Sequence, residues 1–515
     1  MAPRLILVSN RVTVPDPEGP RQAGGLAIAV DAALKRRDGI WFGWSGRVSK
    51  DGSGLEPTLV QRHRRAFVTL DLSAVDFQEY YNGFANRVLW PILHYRVDLA
   101  EFTAVDLGGY LRVNARFAEA LSRFIQPDDS IWVHDYHLLS LAKELRARGH
   151  DNPIGFFLHI PCPPPDILLT LPRHAETLGA LSHYDLVGVQ TEHDADNLAR
   201  YFALQGGTPG RNPGYFDFDD HQVRIAAFAV SIAPRVFARA ARNAMRSPFA
   251  GEMGDSLGGR RLIIGVDRLD YSKGITHRIQ AIGHFLDTYP EWRGRVTFLQ
   301  VTPKTRSDVP EYVAMEQAVS ALVGQVNGRH GKPSWTPIRY VNRAYSRSSL
   351  AGLYRSAGVG LVTPLRDGMN LVAKEYVAAQ DPDDPGVLVL SKFAGAAEEL
   401  DSAILVNPHE TEAMAEAIKT ALEMPLAERR ERYNRMFNHL AANDIDRWAE
   451  HFLAALAESR RQSGIFEGFA ALNLRAGLAE PLGELRSHGH APSIGSFAVS
   501  RNEVGLLATP PAPRD

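Results

Sequence analysis

The stretch LIIGVDRLDYSKG, Leu262–Gly274, combines the signal of a buried strand with a polar turn. Its first five residues form a short apolar run, and the residues after it bring Arg268 and Lys273 into a turn rich in Asp, Ser and Gly. Such a run, bounded by turn residues, is typical of a strand of a parallel sheet that leads into a helix. Because ligands of parallel sheets bind at the carboxyl ends of the strands, we predict a ligand site at this turn.

Short β-branched runs alternate with longer amphipathic segments over most of the chain, which is typical of parallel sheets covered by helices on both faces. The predicted strands of the first half are Leu5–Ser9, Ile40–Gly43, Phe67–Leu70, Ile131–His134, Gly155–His159, Leu186–Gln190 and Val223–Val230. Those of the second half are Leu262–Val266, Val296–Val301, Ile338–Val341, Val359–Val362, Val387–Leu390 and Ala403–Val406. We expect each set to form its own sheet, with a domain boundary near residues 233–258.

The predicted fold class is α/β, with two Rossmann-like, doubly wound parallel-sheet domains that face each other across a cleft. A chain of 515 residues is too long for one ordinary core, which also favours two domains. We place an N-terminal domain at residues 1–235 and a C-terminal domain at 236–440. Residues 441–458 are predicted to form a helix that packs back across the N-terminal domain, and residues 459–515 a disordered or loosely attached tail.

Composition excludes several classes of partner. Lys plus Arg number 57 and Asp plus Glu 59, so the net charge of −2 gives no reason to expect nucleic acid or an anionic membrane surface. The first residues lack the longer apolar core of a signal peptide, and no apolar run reaches the about 18 residues of a membrane span. The single cysteine, Cys162, cannot form an internal disulfide, which fits a reducing compartment. We therefore predict a cytoplasmic protein.

A second stretch, RDGMNLVAKE at Arg366–Glu375, places one carboxylate in a loop and another inside the helix that follows. The start of a helix offers free amide N–H groups to an anion, while Asp367 and Glu375 can accept hydrogen bonds from sugar hydroxyls. Gly368 allows close backbone approach. Asp367 can equally cap the helix, and the two roles are compatible. With the cations Arg268 and Lys273, this stretch predicts a nucleotide-sugar site, although pairing of those cations with Asp267 and Asp270 is the alternative.

The first half carries candidates for the other side of the cleft. Arg11 follows the first strand, and Gly24 and Gly25 stand at a loop-to-helix junction, although a lone glycine pair is a weak signal. His159 ends a predicted strand whose loop points into the cleft, with a satisfied buried histidine as the alternative. Polar and aromatic side chains that suit a sugar, or alternatively the core, are Trp44, Tyr81, Trp90 and Asp135.

Two short patterns resemble metal sites without the context that such sites need. His134, Asp135 and His137 lie close in sequence, and Asp217-Phe218-Asp219 has the Asp-x-Asp form that metal-dependent glycosyltransferases use. The aspartate pair sits in an acidic loop with no strand leading into a helix, and two-residue patterns arise by chance. We predict neither a metal nor another cofactor.

The motifs together resemble those of the trehalose-6-phosphate synthases, which are retaining glycosyltransferases of the GT-B architecture. The similarity covers about residues 4–456. The segments that carry it are Ser9–Arg11, Trp41–Gly46, His134–His137, Arg268–Gly274 and Asp367–Glu375. The chain departs from the family pattern at Ser231-Ile232-Ala233, at Asp267 and at Lys304-Thr305. The resemblance implies transfer of glucose from UDP-glucose to glucose 6-phosphate with retention, giving trehalose 6-phosphate and UDP.

The resemblance also implies roles for individual residues. The catalytic residues would be Arg268, Lys273, Asp367 and His159. The donor would be bound by Gly24, Gly25, Arg268, Lys273, Tyr345, Asp367, Gly368, Met369, Asn370, Leu371, Val372 and Glu375. The acceptor would be bound by Arg11, Trp44, Tyr81, Trp90, Asp135 and Arg306. We further expect a homo-oligomer, either a dimer or a tetramer.

Two other functions stay open at this point. A related enzyme glucosylates glycerol 3-phosphate, and a non-catalytic subunit of a trehalose-making complex would share the fold. The sequence also leaves the donor base open, since ADP-glucose and GDP-glucose differ from UDP-glucose only there.

Overall fold

The computed structural model describes residues 4–15, 33–34, 38–50, 56–218, 221–303 and 310–460. Gly24, Gly25 and Arg306, which the sequence places in the site, lie outside these ranges, as do residues 461–515 of the predicted tail. The strands of the described residues form two sheets.

The first sheet contains ten strands. These are β1 (Leu5–Arg11), β2 (Gly39–Ser49), β3 (Thr58–Arg62), β4 (Arg65–Ser73), β5 (Ser130–His134), β6 (Ile154–Phe157), β7 (Leu186–Val189), β8 (Thr208–Pro209), β9 (Tyr215–Phe218) and β10 (His221–Ala227). Their order is β3-β4-β2-β1-β5-β6-β7-β10-β9-β8. The central strands from β4 to β10 are parallel, and β3, β8 and β9 pair antiparallel at the two edges.

The second sheet contains six parallel strands. These are β11 (Arg261–Val266), β12 (Val296–Val301), β13 (Ile338–Val341), β14 (Val359–Val362), β15 (Val387–Ser391) and β16 (Ile404–Val406). Their order, β13-β12-β11-β14-β15-β16, is that of the dinucleotide-binding doubly wound fold. The predicted α/β class with two Rossmann-like sheets is therefore confirmed.

Helices connect the strands in both halves. The α-helices are Ala74–Asp76, Trp90–Leu93, Ala104–Ser122, Leu141–Arg146, Pro165–Leu168, His174–Thr177, Glu192–Leu204, Pro234–Ala244, Pro248–Leu257, Ile275–Thr288, Pro310–His330, Arg347–Ser356, Leu371–Ala379, Ala396–Glu399, Thr411–Glu423 and Leu426–Ala442. Residues 445–460 are also helical. A π-helix spans Phe77–Leu89, and 3₁₀ turns span Val97–Leu99, Tyr136–Leu138, Gly179–His183, Tyr271–Lys273 and Pro290–Trp292. No helix of the described residues is both long and apolar enough to cross a membrane.

The core follows the two-residue period of the strands. In β1, Leu5 and Leu7 pack into one apolar cluster, while Ile6 and Val8 face another on the opposite side of the sheet. The cluster of Leu5 and Leu7 also contains Leu262 from β11, so a continuous core joins the two halves. Strands buried on both faces must be apolar throughout, which explains why they were readable as short apolar runs.

Each of the thirteen predicted strands has a counterpart, but three antiparallel strands, β3, β8 and β9, were not predicted. Four of the five residues of β3 are exposed and both residues of β8 are exposed, so neither strand has an apolar run that marks it. The segment around Asp217 was predicted to be an acidic loop with no strand leading into a helix, and it contains β9, which pairs antiparallel with β10. A short strand at the edge of a sheet can leave most of its side chains exposed, so its sequence carries only a weak apolar pattern.

The helix at residues 445–460 lies against the first sheet. The ring of Phe452 stacks on Trp132 of β5, with ring centroids 4.2 Å apart. Trp448 donates its indole N–H to the carbonyl oxygen of Phe228, and Arg224 pairs with Glu458 at 2.9 Å. These contacts tie the end of the described chain to its first half. The domain boundaries inferred from the sequence stay a prediction.

Candidate active site

A cleft of about 550 Å³ opens between the carboxyl ends of the two sheets. Its lining comes from the segments that follow β5, β6, β7 and β10 on one side, and β11 and β14 on the other. Doubly wound sheets bind their ligands at these ends because the loops there are free to carry polar groups. The cleft is therefore the candidate site.

The turn after β11 presents two cations to the cleft. The guanidinium of Arg268 lies over the ring of Trp90 from the first half, 4.4 Å from the ring centroid. Lys273 reaches Asp367, with Nζ and Oδ2 2.5 Å apart. Arg268 stands 3.5 Å from Asp270, which matches one of the pairings considered as the alternative to a ligand site.

A buried arginine fixes the shape of this turn. Arg278 is fully buried and donates to Asp267 Oδ2 at 2.7 Å, to Thr363 Oγ1 at 3.1 Å and to the carbonyl oxygen of Lys273 at 3.3 Å. Burial raises the pKa of Asp267, and the nearby Arg278 opposes that shift. Asp267 therefore pairs with Arg278 and not with Lys273, so the alternative pairing of Asp267 with the lining cations is wrong.

The loop before the helix Leu371–Ala379 is held by asparagine. Asn370 has a left-handed backbone with φ of 75°, and its side-chain oxygen accepts from the amide of Ala373, which makes it the helix cap. Its Nδ2 donates to Asp367 Oδ2 at 3.0 Å. The capping role considered for Asp367 thus belongs to Asn370. Lys273 and Asn370 both contact Oδ2 of Asp367, which leaves Oδ1 for a ligand.

The same helix aims its N-terminus at the cleft, which Leu371 and Val372 line. The first amides of a helix have no intrahelical acceptor, so they suit an anion. Glu375, one turn further, also lines the cleft. Burial raises the pKa of Glu375 to about 7, while Arg347, whose Nη2 lies 3.6 Å from Oε1, lowers it.

Gly368 permits a backbone contact between the two halves. A Cβ at this position would lie 2.4 Å from the carbonyl oxygen of His159 and 2.9 Å from Cα of Ile160. The sequence predicted that this glycine admits a close approach, and the group that approaches is the loop after β6. Gly368 itself does not belong to the cleft lining.

The π-helix Phe77–Leu89 brings aromatic side chains to the opposite side of the cleft, where Tyr81 and Trp90 line it. These residues are nine positions apart, which in an α-helix of 3.6 residues per turn would put them on opposite faces. The wider turn of a π-helix brings them to about the same face. Trp44 packs behind, with its ring centroid 5.5 Å from that of Tyr81.

Asp135 follows β5 and adopts a left-handed backbone with φ of 76°. Its Oδ1 accepts from the amide of Tyr136 at 3.1 Å and from that of His159 at 3.4 Å. Left-handed non-glycine residues are uncommon and concentrate at functional sites. Asp135 and Asn370, one on each side, both line the cleft.

Two histidines of the cleft, His94 and His159, are neutral near pH 7. Burial lowers the pKa of His159 to about 3 and that of His94 to about 4. His159 Nε2 lies 3.0 Å from Nδ1 of His134, which leaves Nδ1 of His159 as the ring nitrogen for a ligand. These rings therefore serve as hydrogen-bonding groups, and the positive charge comes from lysine and arginine.

Residues 8–458 match the sequence profile described as Glycosyltransferase family 20. The chain belongs to this glycosyltransferase family. It is 51% identical over 462 residues to the trehalose-6-phosphate synthase of Sinorhizobium fredii, a match that covers 90% of this chain and all of the relative. The family resemblance inferred from the motifs is thus confirmed, and the chain is an enzyme of the glycosyltransferase class.

Solved structures of similar proteins share the fold. The UDP-forming alpha,alpha-trehalose-phosphate synthase of Burkholderia xenovorans in complex with glucose-6-phosphate is 46% identical, with a TM-score of 0.85, covering 88% of this chain and all of that one. The E. coli protein bound with UDP-2-fluoro glucose is 43% identical, with a TM-score of 0.83, covering 88% of this chain and 98% of that one.

Most of the predicted site residues in this family-20 chain meet at the cleft. Those that line it are Tyr81, Trp90, Asp135, His159, Arg268, Lys273, Asp367, Met369, Asn370, Leu371, Val372 and Glu375. Arg11, Trp44 and Tyr345 are not part of the lining. Arg11 is exposed and its guanidinium lies against Gly46, while Tyr345 packs against Phe249. Gly24, Gly25 and Arg306 lie outside the described residues.

Other lining residues were not predicted as site residues, among them His94, Gln190 and Arg347. His94 accompanies Trp90 one turn later, with ring centroids 4.0 Å apart, and donates from Nδ1 to the carbonyl oxygen of Trp90 at 2.8 Å. Gln190 was predicted as the last residue of a strand, a position that in this fold faces the ligand. Arg347 begins a helix that carries no motif. Within the described residues, no group of three or more His, Cys, Asp or Glu side chains has the geometry of a metal site.

Proposed function

We propose that this chain transfers glucose from UDP-glucose to glucose 6-phosphate with retention of configuration, forming α,α-trehalose 6-phosphate and UDP. The relatives named as trehalose-6-phosphate synthases support this reaction, and solved relatives hold glucose-6-phosphate and a UDP-glucose analogue. The observation that carries the proposal is the polarity of the cleft. Its second-sheet side offers two cations and a helix N-terminus, and its first-sheet side offers aromatic rings and a carboxylate.

On the donor side, we assign the diphosphate to Arg268, Lys273 and the amides of Leu371 and Val372. A diphosphate carries its charge on several oxygens, which two cations and a helix end can contact at once. Lys273 forms an ion pair with Asp367, which fixes the direction of its ammonium group. We assign the ribose hydroxyls to Glu375, and the donor-binding roles of Tyr345, Gly24 and Gly25 remain part of the proposal.

On the acceptor side, we assign the glucose ring of glucose 6-phosphate to Trp90 and Asp135. Tyr81, Arg11 and Arg306 are proposed to contact the phosphate. Tyr81 is well placed because Trp44, Phe77 and His137 surround its ring and fix the direction of its hydroxyl. Trp44 thus acts through Tyr81, which replaces the direct contact expected from the sequence.

In the proposed reaction, the bond between the donor anomeric carbon and the diphosphate oxygen breaks. The anomeric hydroxyl of the acceptor attacks from the same face, and its proton passes to the departing phosphate oxygen. Arg268 and Lys273 stabilise the negative charge that develops on the diphosphate. Oδ1 of Asp367 and Nδ1 of His159 are proposed to hold hydroxyls of the transferred glucose, which fixes its orientation during the transfer.

Product analysis tests this function. The purified chain should release UDP from UDP-glucose only with glucose 6-phosphate present, and the product should be α,α-linked by NMR. A panel with ADP-glucose and GDP-glucose as donors, and with glycerol 3-phosphate as acceptor, separates the alternatives. A glucosylated glycerol phosphate as the main product, or no transfer with any pair, would overturn the proposal.

Three further properties belong to the proposal. We infer a cytoplasmic location, supported by a single cysteine that is buried and free, and a homo-oligomer that is a dimer or a tetramer. We also retain an acceptor domain at residues 1–235 and a nucleotide-sugar domain at residues 236–440. Light scattering on the purified chain measures the oligomeric state, and limited proteolysis between residues 233 and 258 tests the boundary.

A further inference from the structure

A chain of hydrogen bonds crosses the floor of the cleft from one sheet to the other. Gln190, just after β7, donates from Nε2 to the carbonyl oxygen of His159 at 3.2 Å. Its Oε1 accepts from the amide of Val230 at 3.1 Å. The carbonyl oxygen of Val230 then accepts from Nζ of Lys374 at 2.7 Å. Lys374 belongs to the helix that carries Glu375, so this series of hydrogen bonds links the two sides of the site.

The two hydrogen bonds to Val230 are buried, and the bond from Gln190 to His159 is partly buried. The side chain of Lys374 is fully buried, and Gln190 is 1% exposed. Lys374 forms an ion pair with Glu399, which in turn accepts from His439 at 3.1 Å. A buried amide or ammonium that lost its partner would incur a desolvation penalty, so these bonds tolerate little movement.

Stability alone gives no reason for a lysine at position 374. The neighbours on its helix, Ala373, Tyr376 and Val377, are buried and apolar. An apolar side chain of similar volume in place of a buried ion pair is often neutral or stabilising. What an apolar side chain cannot supply is the directional bond to Val230, which fixes the helix relative to the first half of the chain.

The two ends of this series of hydrogen bonds are residues of the site. At one end is the backbone of His159, which Gly368 also approaches closely. The other end holds the helix that begins with Leu371 and Val372. We propose that Gln190 and Lys374 are positioning residues, which hold the ring of His159 at a fixed distance from the diphosphate-binding helix. This inference rests on the proposed function, in which His159 and this helix contact the same donor.

Kinetics of matched variants test the proposal. Gln190→Met keeps the side-chain volume and removes both hydrogen bonds, and we expect kcat to fall by about 10- to 100-fold with KM values changed less than about 3-fold. The control is Gln380→Met, because Gln380 is also buried and bonded to three backbone groups, namely Tyr354, Tyr376 and Gly386. Gln380→Met should lower the melting temperature to a similar extent and leave kcat unchanged. An equal loss of kcat in both variants overturns the proposal.

A double variant separates positioning from charge burial. Lys374→Met alone removes the lysine partner of the Glu399 carboxylate and leaves it only His439, whereas Lys374→Met with Glu399→Gln removes both charges of the pair. We expect the double variant to regain the melting temperature and to keep the 10- to 100-fold loss of kcat, since the bond to Val230 is still absent. Recovery of kcat together with stability would show that the pair is only structural and would overturn the proposal.

Hydrogen exchange without substrate makes the test independent of the reaction. In Gln190→Met and in the double variant, the amides of residues 158–160 and 371–373 should exchange faster than in the wild type, while Gln380→Met leaves them unchanged. Unchanged exchange in all variants overturns the positioning role. A wild type that makes another product would instead refute the proposed function and leave the exchange result standing.

Discussion

Replacing Gly368 with alanine tests whether the contact between the two halves sets the geometry of the site. The new Cβ would lie 2.4 Å from the carbonyl oxygen of His159, and 2.9 and 3.0 Å from Cα and the carbonyl carbon of Ile160. All three are backbone atoms, so no change of side-chain rotamer relieves the overlap. The loop that carries Asp367 must therefore move away from His159.

The structure sets the size of this displacement. Ordinary Cβ contacts begin near 3.4 Å, so the contact at 2.4 Å must lengthen by about 1 Å. A misplacement of about 1 Å is enough to slow catalysis on the order of 100-fold, which corresponds to about 2.7 kcal/mol in the barrier. Overpacking at a tight contact costs about 1–3 kcal/mol of folding stability. We expect kcat/KM to fall about 100-fold in a protein that remains folded at 25 °C.

The assay is continuous measurement of UDP release with UDP-glucose and glucose 6-phosphate, with melting temperatures measured in parallel. Gly324→Ala is the matched control, because Gly324 lies exposed in the helix Pro310–His330 and a Cβ there meets no atom within 4 Å. This control should gain about 0.5–1 kcal/mol in stability and keep its kcat/KM. If Gly368→Ala retains activity within about 3-fold of the wild type, the contact with His159 does not set the geometry.

Three further substitutions address single groups. Arg268→Ala should lower kcat by at least about 100-fold, because this guanidinium is proposed to stabilise the leaving diphosphate. The melting temperature should change little, because the side chain is partly exposed. Near-normal turnover rejects the assignment. The pKa of Glu375 is raised to about 7 by burial, so the folded chain keeps a proton that the unfolded chain loses, and this carboxyl's contribution to stability falls as the pH rises from about 4.5 to about 7. In Glu375→Gln this pH-dependent loss should be absent. The difference in unfolding free energy, variant minus wild type, should therefore grow by up to about 3 kcal/mol between about pH 4.5 and about pH 7. A difference that stays constant over this range contradicts the raised pKa. Arg306→Ala should raise KM for glucose 6-phosphate by about 10-fold or more and leave KM for UDP-glucose nearly unchanged, because a dianionic phosphate loses one partner; equal effects on both KM values defeat the role.

The parallel strands could be predicted because burial on both faces leaves an unmistakable apolar run. Three of them, Val296–Val301, Ile338–Val341 and Val359–Val362, have the predicted bounds. The site followed from the strands, since any polar residue just after a parallel strand lies at the same edge of the sheet. Asp135, Arg268 and Asp367 were found in this way. Arg347 could not be predicted in this way, because it begins a helix and reaches the cleft only through the packing of that helix.

Hydrogen-bond partners on the opposite side of the cleft could not be predicted from the sequence either. Nothing local to Lys374 indicates that it bonds to Val230, 144 residues away, and the run Leu371–Ala379 reads as an ordinary buried helix. Trp44 is a second case. The resemblance implied contact with the acceptor, whereas Trp44 does not line the cleft and packs against Tyr81, which does. A change from α to π turns rotates later side chains to another face, and no residue type in the helix announces it.

Two loops of this site adopt a positive φ at residues other than glycine. Left-handed backbone normally selects glycine, yet Asp135 and Asn370 adopt it on opposite sides of the cleft, at a cost of about 1–3 kcal/mol each. Each side chain offsets that cost by accepting from a nearby backbone amide, that of Tyr136 for Asp135 and that of Ala373, in the following helix, for Asn370. A glycine would relieve the strain and lose the bond, together with the contact that Asn370 makes to Asp367. The glycine that the site does require, Gly368, has a different task, since it makes room for the backbone of the opposite half. In this cleft, therefore, short polar side chains shape the loops, and glycine sets the distance between them.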